Sequence, residues 1–124
     1  MDRDEKGSVR PRYLRVSYTG EPEAREVLNV LRGAVKSAVK SEARGIILDL
    51  TDTECSLSWA DRIIAGTAVA ALQSNASRQI PIAIVVPGTD VDPRKLGTKA
   101  AARRGGRLDA FTSLEAARAW LRTQ

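Results

Sequence analysis

The chain has 124 residues, 43% of them hydrophobic and 28% charged, which is ordinary for one domain with a single core. It carries a net charge of +5, one cysteine (Cys55) and no histidine, so an internal disulfide and every catalytic or metal site that needs imidazole are excluded. We expect a cytoplasmic protein, because the sequence shows neither a signal peptide nor an apolar run long enough to span a membrane. We also expect a non-enzymatic protein, because the commonest general base is missing.

The first half of the chain predicts a tail, a strand and a helix. Residues 1–12 are charged and contain glycine and proline, which predicts a flexible tail before a domain over residues 13–124. Residues 13–18 alternate in the strand period, and apolar residues from Ala24 to Val39 then follow the helical period. Gly33 inside this helix indicates close packing at that point.

Two nearly continuous apolar runs, residues 46–50 and 80–86, are typical of parallel strands covered on both faces. A second helix over about residues 57–76 separates them. The residues that we expect on its inner face are Ile63, Ile64, Thr67, Ala68, Ala71 and Leu72.

The last third of the chain predicts a helix, a strand and a helix. A short basic helix over about residues 94–104 follows Asp92, which we expect to be its N-cap. A strand over residues 108–111 leads to a final helix, which Thr112 and Glu115 would open as a capping box. The residues of this helix that should face inward are Leu114, Ala117, Trp120 and Leu121.

Strict alternation of strands and helices predicts a single α/β domain, with a mostly parallel sheet of four or five strands and helices packed on it. Residues 46–50 and 82–86 should form adjacent central strands. Open sheets of this kind place their sites at the carboxyl ends of the strands. The loop after residues 46–50 is therefore the expected location of function.

That loop is rich in hydroxyl and carboxyl side chains, which can cap a helix, bind an anion or receive a phosphate. Trp59, in the first turn of the following helix, is either a core residue or an exposed partner contact. The residues that we expect to contact a partner are Thr51, Asp52, Ser56, Ser58, Trp59 and Arg62. Ser56 and Ser58 are also the candidate phosphoacceptors.

Two further sets of charged residues could bind ions. Asp52, Glu54, Asp90 and Asp92 could share one edge of the sheet, but helix capping explains Asp92 better, so we expect neither a metal nor a cofactor. The candidate anion-binding residues are Arg94, Lys95, Lys99, Arg103 and Arg104. They have no interleaved aromatics and no base-reading motif, so specific nucleic-acid binding is not expected.

Two segments, Gly45-Ile-Ile-Leu-Asp-Leu-Thr-Asp52 and Asp109-Ala-Phe-Thr-Ser-Leu-Glu-Ala-Ala-Arg-Ala-Trp-Leu121, resemble the STAS or SpoIIAA-like family. The resemblance covers about residues 13–121. It implies a regulatory module that contacts another protein, such as an anti-sigma-like factor or a regulatory kinase, through the loop and helix start after the central strand.

The same resemblance leaves two further expectations open. Anti-sigma-factor antagonists carry an Asp-Ser-Ser-Gly-like phosphoacceptor, whereas residues 55–61 here contain Ser56 and Ser58 without that motif. The resemblance also allows a homodimer. The alternative function is a carrier that holds a small apolar ligand or a lipid between the sheet and a helix of the same fold.

Overall fold

The computed structural model describes residues 13–19, 24–52, 59–87 and 95–124, so the predicted tail over residues 1–12 lies outside the described residues. The described strands are β1 (Tyr13–Ser17), β2 (Gly45–Asp49), β3 (Ile82–Val85) and β4 (Leu108–Phe111). The described helices are α1 (Ala24–Ser41), α2 (Trp59–Ser74), α3 (Leu96–Arg103) and α4 (Leu114–Leu121).

The four strands form one parallel sheet in the order β1-β2-β3-β4. Ile46 of β2 lies opposite Ile82 of β3, which confirms that the two long apolar runs are adjacent central strands. Consecutive parallel strands need a crossover between them, and α1, α2 and α3 supply the three crossovers. The predicted α/β architecture is therefore confirmed, with four strands among the described residues.

Apart from Asp49 at the end of β2, the two central strands are apolar, because helices cover both faces of the sheet. Ile46, Leu48 and Ile82 belong to the larger core, which also contains residues of α1, α2 and α3. Ile47 and Val85 point the other way, into a smaller core formed with α4. The inward-facing residues predicted for α4 are confirmed: Ala117 and Leu121 are buried, and Leu114 and Trp120 pack against them.

The apolar stripe predicted for α1 is also confirmed, since Leu31, Ala34, Val35 and Ala38 are all buried. The interpretation of Gly33 is wrong. This glycine is exposed, and a Cβ added to it would have no neighbour within 4 Å. Gly33 therefore lies on the solvent side of α1 and serves no close contact.

The inner face predicted for α2 is partly wrong over its described part: Leu72 packs against the larger core as predicted, but Thr67 and Ala68 are only half-buried. The buried residues are Gly66, Val69, Ala70 and Gln73, while Ala71 is exposed. The reason is close packing between α2 and α3. A methyl group on Gly66 would overlap the carbonyl oxygen of Gly97 at the start of α3, so this face of α2 turns toward α3.

Gln73 is a buried polar residue that links α2 to two strands. Its Nε2 donates to the carbonyl oxygens of Ile80 at 2.7 Å and Arg107 at 2.8 Å. Its Oε1 accepts from the backbone N–H of Arg107 at 2.9 Å. The amide group thereby ties α2 to backbone groups that precede β3 and β4.

Both predicted helix caps are displaced. Helix α3 has Lys95 at its N-cap position, with φ 50° and ψ 47°, so the cap predicted at Asp92 is wrong. Asp92 itself lies outside the described residues. Helix α4 is capped by Ser113 rather than Thr112, since the Ser113 Oγ accepts from the N–H of Ala116 at 3.1 Å. No capping box forms at Thr112, because the helix begins one residue later than predicted.

Candidate functional site

The carboxyl end of β2 carries a buried carboxylate with three hydrogen bonds. Asp49 is 8% exposed. Its Oδ1 accepts from the backbone N–H of Thr51 at 3.0 Å and from the Thr51 hydroxyl at 2.6 Å. Its Oδ2 accepts from Nη2 of Arg15, on the neighbouring strand β1, at 2.7 Å. The carboxylate therefore fixes both the first residue of the loop and an arginine that is distant in sequence.

The same contacts decide the ionisation of Asp49. Burial acts to raise the pKa of its carboxyl group, but the hydrogen bonds from Thr51 and Arg15, together with the guanidinium charge, hold that pKa below its ordinary value of 3.8. Asp49 is thus ionised at neutral pH. A charged carboxylate accepts stronger hydrogen bonds than a neutral one, which stiffens this end of the sheet.

This group of side chains lies on a part of the sheet that no described helix covers. Arg15 is opposite Ile47 and Ser17 is opposite Asp49, so these residues share the face on which α4 packs. Helix α4 packs on β2, β3 and β4, and the cluster that it forms also includes Tyr13 at the start of β1, away from Arg15 and Ser17. Arg15 and Ser17 are accordingly exposed. The site is an open surface beside a strand end, formed by β1, β2 and the residues that follow β2.

The residues predicted to contact a partner are only partly within the described chain. Thr51 and Asp52 are exposed and follow β2 directly. Trp59 and Arg62 belong to the first turn of α2, but their side chains lie outside the described residues, as do Ser56 and Ser58 entirely. The prediction that these residues form one contact surface stays a prediction.

The sequence analysis missed Asp49 and Arg15, the residues that organise the site. A signal for Asp49 was present, because it is the single charged residue in an otherwise apolar central strand. A buried carboxylate requires partners. Arg15 gave no comparable signal, since an arginine in an alternating edge strand is equally compatible with a solvent-facing position. We name the surface formed by Arg15, Asp49, Thr51 and Asp52 the β2-end surface, and the start of α2 is its predicted continuation.

The predicted anion-binding residues lie in different surroundings in the structure. Lys95 pairs with Asp109 of β4, with its Nζ 2.9 Å from Oδ1, and lies 6.0 Å from the ring centre of Phe111. Lys99, Arg103 and Arg104 are exposed along and after α3. Arg94 lies outside the described residues. Anion binding by this set stays a prediction.

The described part of the chain also bears on metal binding, membrane insertion and ligand transport. It contains no group of three or more histidine, cysteine or acidic residues that could hold a metal ion. None of its helices is long and apolar enough to cross a membrane. A cavity of about 470 Å³ lies between α1 and α2 and is lined in part by exposed lysines, so it is not the enclosed site between sheet and helix that a carrier would need.

Comparison with known proteins gives one informative likeness. No protein-family profile and no curated protein matches the sequence. Among solved structures, an anti-sigma-factor antagonist from Mycobacterium paratuberculosis superimposes with a TM-score of 0.54, over 93% of this chain and 90% of that chain. The chain has the fold of an anti-sigma-factor antagonist. The two sequences are 17% identical, so the likeness concerns the fold.

This result confirms the fold expected from the resemblance of the two sequence segments. The contacts that fix that loop here, from Arg15 and Thr51 to Asp49, are read from this chain's own side chains.

Proposed function

We propose that the protein is a non-enzymatic regulatory module that binds another protein through the β2-end surface. The observation that carries the proposal is the Asp49 carboxylate, which holds Thr51 and Arg15 on an open part of the sheet. The shared fold with an anti-sigma-factor antagonist supports a partner of the anti-sigma-factor or regulatory-kinase type.

The geometry supports binding because the surface is ordered before a partner arrives. The hydrogen bonds to Asp49 restrain the first residue of the loop, and the ion pair restrains the Arg15 side chain. Ordering such groups on binding usually costs about 0.5–1.5 kcal/mol for each long side chain, so restraint in the free protein favours association. Arg15 still exposes 49% of its side chain and can donate hydrogen bonds to a partner's carboxylate.

Ser56 and Ser58 extend the proposal to regulation by phosphorylation. A phosphoserine carries about −1.5 to −2 charges at neutral pH. Placed before α2, it would be stabilised by the N-terminal end of that helix. It would also increase the negative charge of a loop that already contains Asp52 and Glu54. A partner that binds the unmodified loop should then be released.

Affinity capture from cells of the source organism, followed by quantitative mass spectrometry, tests the proposal. Asp52→Arg changes an exposed residue of the β2-end surface. Glu42→Arg makes the same charge change in the turn between α1 and β2, before the strand begins, and is the matched control. We expect a regulatory protein that wild type and Glu42→Arg retain and Asp52→Arg loses. Equal retention by both variants would contradict the proposal.

Trp59→Ala separates a binding role from a structural one. A partner contact predicts weaker capture with little change in melting temperature. A core tryptophan predicts a loss of about 3–5 kcal/mol in unfolding free energy instead. Phosphopeptide mapping of this protein, purified from the same cells, tests whether Ser56 or Ser58 is phosphorylated. A lipid retained in the native mass spectrum, with no protein partner, would favour the carrier function.

A further inference from the structure

A groove between the C-terminal halves of α1 and α2 has apolar residues at its floor and basic residues along one side. Its volume is about 470 Å³. Val35 and Val39 of α1, Leu72 of α2 and Ala76 just after α2 form an apolar floor that continues into the larger core. Val35 is buried, whereas the other three are partly exposed. Partly exposed apolar residues grouped in a depression favour contact with an apolar surface over contact with water.

One rim of the groove is basic along its whole length. Arg32, Lys36 and Lys40 lie four residues apart on α1, and all three are exposed. At 1.5 Å per residue, their positions repeat about every 6 Å along the helix axis. Among the described residues, no carboxylate lies within ion-pair distance of these cations. The opposite rim, at Asn75 and Ser77, is polar and uncharged.

We propose that this groove, independently of the β2-end surface, binds an acidic amphipathic helix of a partner protein. Carboxylates four residues apart on such a helix repeat at the same spacing of about 6 Å as the basic rim. The apolar stripe beside them would then lie on the floor formed by Val39 and Leu72, which is the usual arrangement for a helix bound in a groove.

The observations favour a helix over an anionic membrane. The site is concave, whereas a membrane-binding helix presents a convex apolar face. None of the lining residues is aromatic, although aromatic residues usually anchor a helix at the lipid interface.

The groove is also remote from the β2-end surface, because Leu72 is 13 residues, or about 20 Å, along α2 from Trp59. One partner could therefore occupy each surface at the same time.

The test uses a synthetic fluorescent peptide that has glutamates four residues apart and leucines on the adjacent stripe. Its binding to the full chain is followed by fluorescence anisotropy. We expect saturable binding that weakens about tenfold in the Lys36→Glu, Lys40→Glu double variant, because attraction becomes repulsion. The matched control, Lys99→Glu with Arg103→Glu, changes the net charge equally on exposed residues of α3 and should weaken binding less than about threefold.

Two further comparisons separate the groove from general attraction between opposite charges. Ala76→Trp should fill the floor and abolish binding without a change of charge. A peptide of the same composition in scrambled order should bind at least about tenfold more weakly, because its glutamates and leucines no longer share one side. Thermal unfolding of each variant confirms that it is folded.

Three results would overturn the proposal. The first is no saturable binding of the ordered peptide to the wild type. The second is an equal loss of affinity in both double variants, or equal binding of both peptides, which would reveal only nonspecific charge attraction. The third is loss of binding to phosphatidylserine vesicles in the Lys36→Glu, Lys40→Glu variant while its peptide binding is unchanged, which would assign the rim to a membrane surface.

Discussion

Replacing Asp49 by asparagine removes the charge at the β2-end surface while keeping the shape of the side chain. The asparagine oxygen can still accept from Thr51, but its amide would oppose the Arg15 guanidinium with a second donor. Hydrogen bonds to charged groups contribute about 1.5–3 kcal/mol, and exposed ion pairs about 0.2–1 kcal/mol. The Asp49 side chain is 11% exposed and that of Arg15 is 49% exposed, so the pair lies between these cases.

We therefore expect Asp49→Asn to lower the unfolding free energy by about 1 kcal/mol, or the melting temperature by about 3–5 °C for a domain of this size. Asp49→Ala also removes the hydrogen bonds from Thr51, so it should lower the unfolding free energy by about 2–3 kcal/mol. The loss is not larger because Thr51 is exposed and can bind water instead. The control is Asp52→Asn, an exposed carboxylate three residues away, which should change stability by less than about 0.5 kcal/mol.

The pH dependence gives the sign of the effect. The pKa of Asp49 is lower in the folded protein than its ordinary value of 3.8, so its ionisation stabilises the fold above that pH. The stabilisation is lost as the pH falls through the folded pKa. The difference in unfolding free energy between wild type and Asp49→Asn should thus be constant near neutral pH and narrow below pH 3.8.

Chemical denaturation at several pH values measures this difference. A double-mutant cycle with Arg15→Ala isolates the ion pair, with an expected coupling of about 0.5–1.5 kcal/mol. Additive effects of the two substitutions, or a difference that does not change below pH 3.8, would refute the role given to Asp49.

Three other predictions concern packing, a buried amide and charge. Gly66→Ala should lower the unfolding free energy by about 1–3 kcal/mol because the methyl group meets the backbone of Gly97, whereas Gly33→Ala should raise it by about 0.5–1 kcal/mol; equal effects in urea denaturation would contradict this packing. Gln73→Met should lower the unfolding free energy by about 2–4 kcal/mol in the same assay, because the N–H of Arg107 loses its acceptor. An unchanged free energy would contradict the structural role given to the Gln73 hydrogen bonds. The exposed basic residues of α3 should attract DNA and anionic vesicles weakly and only at low salt, so tight binding at physiological salt would contradict the absence of a dedicated polyanion site.

The sequence predicted the sheet well because a buried parallel strand has a distinctive composition. Apart from Asp49, residues 46–50 and 82–86 are apolar on both faces, which is typical of a central position in a covered sheet. The face of α2 was not predictable in the same way. Apolar and small residues surround most of this helix, so their spacing does not select one side, and the choice is made by the contact of Gly66 with Gly97 on α3.

The candidate site was predicted in its location but not in its organisation. Thr51 and Asp52 follow the central strand as expected from the carboxyl-edge rule. The contact between Arg15 and Asp49 joins residues 34 positions apart, and it depends on the register of β1 against β2, which no local pattern encodes. Gln73 was missed for a related reason, because its buried backbone partners appear only once β3 and β4 are in place.

Site-specific photocrosslinking in cells of the source organism tests the central claim most directly. Trp59 is replaced by the photoreactive residue benzoylphenylalanine. The control is the same replacement at Glu42, in the turn between α1 and β2. A regulatory binding role for the β2-end surface predicts one discrete crosslinked protein from position 59 and none from position 42. No adduct at position 59, or the same adducts at both positions, would contradict it.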